Sequence, residues 1–266
     1  LKMNPNMENV TRTYIESFDI ENLWGYKNLH WENVNPDVNI LVGINGSGKT
    51  TLLDVINAYY NDDAKELKKF QGKITGTPLS TNSYTVTYLR SFDSPVPDKR
   101  KSESPLMQEL NNIVFQNKEG LSFFNYRMKM LDYKDKADEI QNNIDLLFSI
   151  VNAMFSDTRK TIDISKGNNS ALVFHQAGKT INLEQLSSGE KQLLLILLKV
   201  FLLEKQPAIV LMDEPEISLH IRWQREIIDR LRQLNPHCQL IISTHSPSIF
   251  SSGWGDKAIY MEDIMK

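Results

Sequence analysis

Gly43-Ile44-Asn45-Gly46-Ser47-Gly48-Lys49-Thr50, followed by Thr51, decides how the rest of the chain is read. The pattern is Gly-x4-Gly-Lys-Ser/Thr, and its composition suits phosphate binding. Glycines let successive backbone N–H groups wrap around an anion, and the helix that follows points its positive end at it. Val38 to Val42 is a compact apolar run, read as a strand, and Lys49 to about Tyr60 reads as a helix. In that setting Gly43, Asn45, Gly46, Ser47, Gly48, Lys49, Thr50 and Thr51 are the expected phosphate-binding set. Lys49 would reach the β and γ phosphates of a nucleotide, and the Thr50 hydroxyl would ligate Mg2+.

Further along, Val210-Leu211-Met212-Asp213-Glu214-Pro215 is an apolar strand that ends in two adjacent carboxylates. Ligands gather at the carboxyl ends of parallel strands. Two acids at a strand end are common on surfaces, but beside a phosphate loop they acquire roles. Asp213 would hold Mg2+, directly or through water, and Glu214 would polarise an attacking water.

Two more segments lie in the same third of the chain. Leu186-Ser187-Ser188-Gly189-Glu190-Lys191-Gln192 reads, alone, as a serine N-cap with a glutamate in the first turn. Ile241-Ile242-Ser243-Thr244-His245-Ser246-Pro247 is a strand end carrying a histidine; His30, His175, His220 and His237 have no comparable context. Placed shortly upstream of the acidic strand, the first segment resembles the signature motif of ABC-type ATPases. The second resembles that family's switch histidine. In order, the four motifs resemble the soluble branch that includes SMC, RecF and OLD-type ATPases, over about 12–90 and 160–263.

The resemblance implies an α/β P-loop NTPase, an ABC-type ATPase head with a mostly parallel sheet, an N-terminal β subdomain and a helical insertion. It implies ATP and Mg2+ as cofactors, with hydrolysis to ADP and phosphate. Glu214 and His245 would be catalytic, His245 contacting the γ phosphate and the attacking water. It also implies a head-to-tail homodimer, in which Ser187, Ser188, Gly189 and Glu190 face the ATP held by the partner molecule. Transporter ATPases typically read Asp-Glu-Pro-Thr and place an acid after the histidine. This chain instead has Asp213-Glu214-Pro215-Glu216, and its histidine is followed by Ser246-Pro247, as in OLD-like proteins.

Three departures stand out. No glutamine occupies the family's Q-loop position; Arg90 or Ser91 stands in that neighbourhood. The adenine-stacking aromatic has only Trp24 and Tyr26 as candidates, and core packing is the expected role of both. Where relatives often carry Asn-aromatic-basic-Gly, this chain has Asn22-Leu23-Trp24-Gly25.

The remaining sequence bounds the architecture. The 266 residues suit one domain, 1–266, carrying an insertion, and 41% apolar with 24% charged residues is ordinary for a globular chain. Two short strands are expected within Tyr14 to Trp31, another at Tyr84 to Arg90, and short β segments from Lys160 to Leu183. The 105–156 insertion repeats apolar residues at helical spacing, through Leu106, Leu110, Ile113 and Val114, then Ile140, Ile144, Leu147 and Ile150. Helices are expected at about Gly189 to Glu204 and Ile217 to Leu234, with strands at Ala208 to Met212 and Gln239 to Ser243.

Cys238, the single cysteine, reads as a small buried side chain, with no disulfide or cysteine metal cluster available. The longest apolar run, Leu193 to Leu203, would span ~16 Å as a helix, half of a ~30 Å hydrocarbon core. With no signal pattern, a soluble cytoplasmic protein without a membrane partner is expected. Leu1, with Met3 and Met7 behind it, suggests a trimmed or tagged start.

A formal charge of −3 excludes a broadly basic surface without excluding a local DNA-binding patch. The Asp98-Lys99-Arg100-Lys101 and Lys65-Glu66-Leu67-Lys68-Lys69 clusters read as solvated surface. The expected function is an ATP-driven switch in DNA repair or anti-phage defence. With about 20 residues after His245, its effector, such as a nuclease, would be a separate protein. The alternatives are a transporter ATPase subunit and a nucleotide-gated scaffold with little turnover.

Overall fold

A computed structural model of the protein describes residues 14–77, 85–90, 103–115, 121–165 and 172–266. Its central feature is a five-stranded parallel sheet built from β3 (Val38–Val42), β5 (Val86–Leu89), β9 (Ala208–Asp213), β10 (Cys238–Thr244) and β11 (Ala258–Tyr260). The spatial order is β11-β3-β10-β9-β5, every pair parallel. Strands β9 and β10 are buried at every residue, which explains their unbroken apolar runs: both faces are covered.

The faces divide the core in two. Ile40, Val210, Met212, Leu240 and Ile242 belong to one cluster, while the alternating Leu41, Ile209, Leu211 and Ile241 belong to the other. Packed on the second face are α1 (Lys49–Tyr60) and a three-stranded antiparallel sheet of β1 (Ser17–Leu23), β2 (Lys27–Trp31) and β4 (Lys73–Thr77), in the order β2-β1-β4. The alternation of Phe18 and Ile20 is why β1 forms, and both side chains are buried. A short α2 (Ala64–Leu67) follows α1.

On the first face lie the helices α3 (Pro105–Val114), α4 (Phe123–Asp132), α5 (Ala137–Met154), α6 (Ser188–Phe201) and α7 (Ile221–Leu234). A small antiparallel sheet of β6 (Thr161–Ile164), β7 (Leu172–Gln176) and β8 (Lys179–Ile181) lies beside them. The periodic residues of α3 and α5 are the buried ones, and they join the same core as α6 and the sheet. A last helix, α8 (Met261–Ile264), follows β11. Cys238 is fully buried, and burial pushes its thiol up to about 11. Among the described residues, no helix is long and apolar enough to cross a membrane.

Several boundaries differ from expectation. Helix α6 ends at Phe201 rather than near Glu204, because Glu204 and Lys205 take positive φ (52° and 59°) to turn the chain back into β9. Helix α7 begins at Ile221 rather than Ile217. The intervening residues form turns, Ile217 N–H donating to the Glu214 carbonyl and Leu219 N–H to that of Glu216. Strands β4 and β11 were not expected; Lys73-Ile74-Thr75-Gly76-Thr77 is too polar and Ala258–Tyr260 too short to announce a strand. Tyr84, Ser91, and the Asp98–Lys101 and Gly167–Asn169 segments lie outside the described residues.

One buried amide ties the two β layers. Gln239 of β10 accepts from Ile15 N–H at 2.8 Å and donates to the carbonyls of Ile15 (2.9 Å) and Asn35 (2.7 Å). Gln239 and Ile15 are both essentially inaccessible to water. Gln239→Leu is therefore expected to cost about 1–3 kcal/mol, since it strands buried backbone groups, and denaturant unfolding with an unchanged slope would read the loss.

Candidate nucleotide site

Strand β3 delivers the loop 43–48 to the carboxyl edge of the sheet. Gly48 ends it at φ 97°, in the left-handed region that a side chain resists, and an added Cβ would lie 2.7 Å from the Met265 methyl group. Helix α1 then starts with no side-chain cap and no acidic residue in its first turn, so its N-terminal donors are left for an external anion. The Ser47 hydroxyl is buried with no hydrogen-bond partner among the described residues. Lys49 is nearly buried, its Nζ donating to the carbonyls of Gly43 (2.9 Å) and Ile44 (3.2 Å). Burial pulls its pKa down, against the opposing pull of Glu214, Asp213 and Glu216.

The acidic end of β9 meets this loop directly. Asp213 accepts from Thr50 Oγ1 at 3.0 and 3.1 Å on its two oxygens, and from Ser243 Oγ at 2.5 Å. Ser243 sits opposite Asp213 in the β9–β10 register, so the sheet itself makes this bond. Glu214 follows at φ 47°, an unfavourable conformation for a non-glycine residue and one that recurs where structure holds a reactive group. Its carboxylate lies 3.2 Å from His245 Nε2, and both side chains are about one-third exposed. Thr50 and Asp213 supply hard oxygen donors of the type Mg2+ takes.

These parts open onto one cleft of about 680 Å3. Asn45, Gly46, Gly48, Lys49, Thr50 and Thr51 line it from the loop and α1, and Trp24, Glu214 and His245 complete it. A cavity of similar size, about 720 Å3, lies among β5, α3 and the end of α6. Of its charged residues, Lys199 and Glu109 pair with each other and Glu204 with Lys129, and it gathers no comparable set.

The signature residues do not line that cleft. Ser187 caps α6 in a reciprocal box: its Oγ accepts from Glu190 N–H, and Glu190 Oε2 accepts from Ser187 N–H at 2.8 Å. Both carboxylate oxygens of Glu190 also bond Lys160 Nζ, at 2.8 and 2.7 Å, and the side chain is 1% exposed. The Glu190 carboxylate is thus engaged in holding the helix start. Gly189 is required by contact, because an added Cβ would sit 2.2 Å from the Ser218 carbonyl oxygen. Only Ser187 and Ser188 are exposed.

Trp24 and Tyr26 also depart from expectation. They are 39% and 69% exposed rather than packed in the core, and stack on each other with centroids 6.5 Å apart. They lie at the β1–β2 turn, where Asn22, Trp24 and Gly25 all take positive φ; both rings are exposed, and Trp24 lines the cleft with the loop 43–48. The Asn22–Gly25 turn between two alternating strands was the available signal. Arg90 follows β5 but does not line the cleft; it pairs with Asp54 at 3.3 Å and stacks on Tyr88. Ser243, a polar residue in an otherwise apolar strand, also belongs to the site through its bond to Asp213.

Burial opposes the Glu190 charge, but Lys160 and the Ser187 N–H hold its carboxyl below the ordinary range. Such a group stabilises the fold at neutral pH and loses that contribution as pH falls through its lowered value. Lys160→Met would leave the carboxylate buried and unpaired. The variant's melting temperature is expected to fall below wild type at pH 7, and the gap to narrow in acid as Glu190 protonates.

Comparison with known proteins agrees with this geometry. Residues 80–251 match the family described as "AAA domain, putative AbiEii toxin, Type IV TA system". The chain is 23% identical over 222 residues to "Retron Vc95 probable ATPase" of Vibrio cholerae serotype O1 biovar El Tor, covering 75% of this chain but only 42% of that protein. It is 26% identical over 239 residues to "Putative hemin import ATP-binding protein HrtA" of Staphylococcus aureus (strain MRSA252), covering 89% and 88%. In fold it matches an SMC head crystallised with the C-winged helix domain of ScpA, at TM-score 0.58 and 13% identity over 90% of this chain and 91% of that one. The chain belongs to the AAA domain family matched over 80–251, and its fold is like that of an SMC head.

Proposed function

We propose that the protein hydrolyses ATP with Mg2+ in a cleft that a second, head-to-tail copy completes, and that this cycle switches a defence or DNA-related process through a separate effector. The observation that carries the reading is the convergence of Lys49, the Thr50–Asp213 pair and the Glu214–His245 pair on one cleft, while Ser187 and Ser188 lie exposed outside it.

In this reading the uncapped start of α1, the unpartnered Ser47 hydroxyl and the N–H groups of 43–48 bind the phosphates. Lys49 exchanges the Gly43 and Ile44 carbonyls for phosphate oxygens. Thr50 and Asp213 hold Mg2+, which supplies charge neutralisation at the phosphates. Glu214 orients the attacking water and takes up its proton on the carboxylate, and His245 Nε2 steadies that carboxylate and the γ phosphate. Trp24, exposed beside the loop, offers a face for adenine. The exposed Ser187 and Ser188 serve the partner copy's nucleotide. The retron relative's printed name and the toxin in the family description support a defence setting; this chain spans less than half of that relative. The similarity to a hemin import ATP-binding protein favours a second reading, a transporter subunit. Glu216 and Ser246-Pro247 in place of the transporter pattern weigh against it.

Lys49→Ala is expected to abolish phosphate release, and unchanged hydrolysis would place the site elsewhere. Glu214→Gln is expected to retain ATP and accumulate as a dimer by size-exclusion chromatography with light scattering. A monomer under every condition would sink the shared-site reading. A dimer that ignores added duplex DNA would point to a protein partner.

A further inference from the structure

The ladder between β9 and β10 stops at Ser243 opposite Asp213, one residue before Glu214 and two before His245. The Glu214 N–H still reaches the Ser243 carbonyl at 3.0 Å, but beyond it the two loops are no longer joined as strands. What joins them is one carboxylate. Glu216 Oε1 accepts from Thr244 Oγ1 at 2.7 Å, His245 N–H at 2.7 Å and Ser246 N–H at 3.2 Å. Its other oxygen is buried with no hydrogen-bond partner among the described residues, and the three donors on Oε1 hold the group.

A second strut backs it. Gln224 of α7 donates to the Leu219 carbonyl at 2.9 Å and accepts from Ser246 Oγ at 2.7 Å, tying both loops to the same helix. Glu216 does not line the cleft. On its own loop it lies two residues from Glu214, in a turn closed by Ile217 N–H on the Glu214 carbonyl. Moving Glu216 therefore moves Glu214 on one side and His245 on the other.

We propose that Glu216 is a positioning residue: its carboxylate replaces the missing strand ladder and sets the spacing between Glu214 and His245. The proposal rests on the cleft being an ATPase site. It also gives a physical meaning to the glutamate that follows Asp213-Glu214-Pro215, namely an acceptor long enough to reach across to the histidine loop.

Reach and charge can be separated. Glu216→Gln keeps the reach of the accepting oxygen and removes the charge, whereas Glu216→Asp keeps the charge and withdraws the carboxylate by roughly 1.5 Å. Glu216→Asp is expected to lower kcat by ~10–100-fold with KM for ATP within ~3-fold, and Glu216→Gln to stay within ~5-fold of wild type. In nucleotide-free protein, the His245 ring proton resonances are expected to shift and broaden in the Asp variant and hold in the Gln variant. Wild-type kcat and unchanged His245 resonances in Glu216→Asp would overturn the proposal. Equal losses in both variants that merely follow lost thermal stability would overturn it as well. If wild type shows no Lys49-dependent turnover, the ATPase reading has failed, and the His245 resonances alone decide whether Glu216 places the imidazole.

Discussion

The parallel register of β3, β10 and β9 is the constraint on which the site depends. It sets Thr244 beside Val42 and Ser243 beside Asp213, so three strands end together at one edge. The loop after β3, the acids after β9 and the histidine after β10 then emerge side by side, although they are separated by up to two hundred residues of chain. A one-residue slip would turn every side chain to the opposite face and bring Ser243 out of line with Asp213. The burial of β9 and β10 on both faces is what forbids that slip.

Charge is the second organising factor. Lys49, nearly buried, faces Asp213, Glu214 and Glu216, and in the absence of phosphate its ammonium is satisfied by loop carbonyls. Phosphates would add more negative charge beside those carboxylates. The proposed Mg2+ between Thr50 and Asp213 would then be needed for electrostatic balance as much as for catalysis. Asp213 is already preorganised for that duty by Thr50 and Ser243.

The start of α6 shows how one motif can serve two ends. Ser187 and Glu190 cap the helix reciprocally, Lys160 neutralises Glu190, and Gly189 lets the helix press against Ser218 in the loop after β9. Gln192, one helical turn into α6, donates to the Pro215 carbonyl in the same loop. The exposed serines are therefore mechanically continuous with the loop that carries Glu214 and Glu216.

Local physics made much of this legible in the sequence. Val38–Val42 and Lys49–Tyr60 have the bounds their residues announce, because an apolar run, a glycine-rich turn and an uncapped amphipathic helix each act over a few residues. Lys49, Thr50, Asp213, Glu214 and His245 could be named from spacing and resemblance alone. Tertiary structure decided what depends on partners far along the chain. Trp24 and Tyr26 are aromatic rings that sequence assigns to the core, but the positive φ angles of their turn leave them exposed, and Trp24 lines the cleft. Glu190 gains its charge partner only when Lys160, thirty residues away, is brought beside it. Glu216 acquires its task only when β10 lies beside β9 and brings three donors to one oxygen. The sequence carried the chemistry because side-chain type is local, and only the fold could assign each group its partner because hydrogen bonds are made across space.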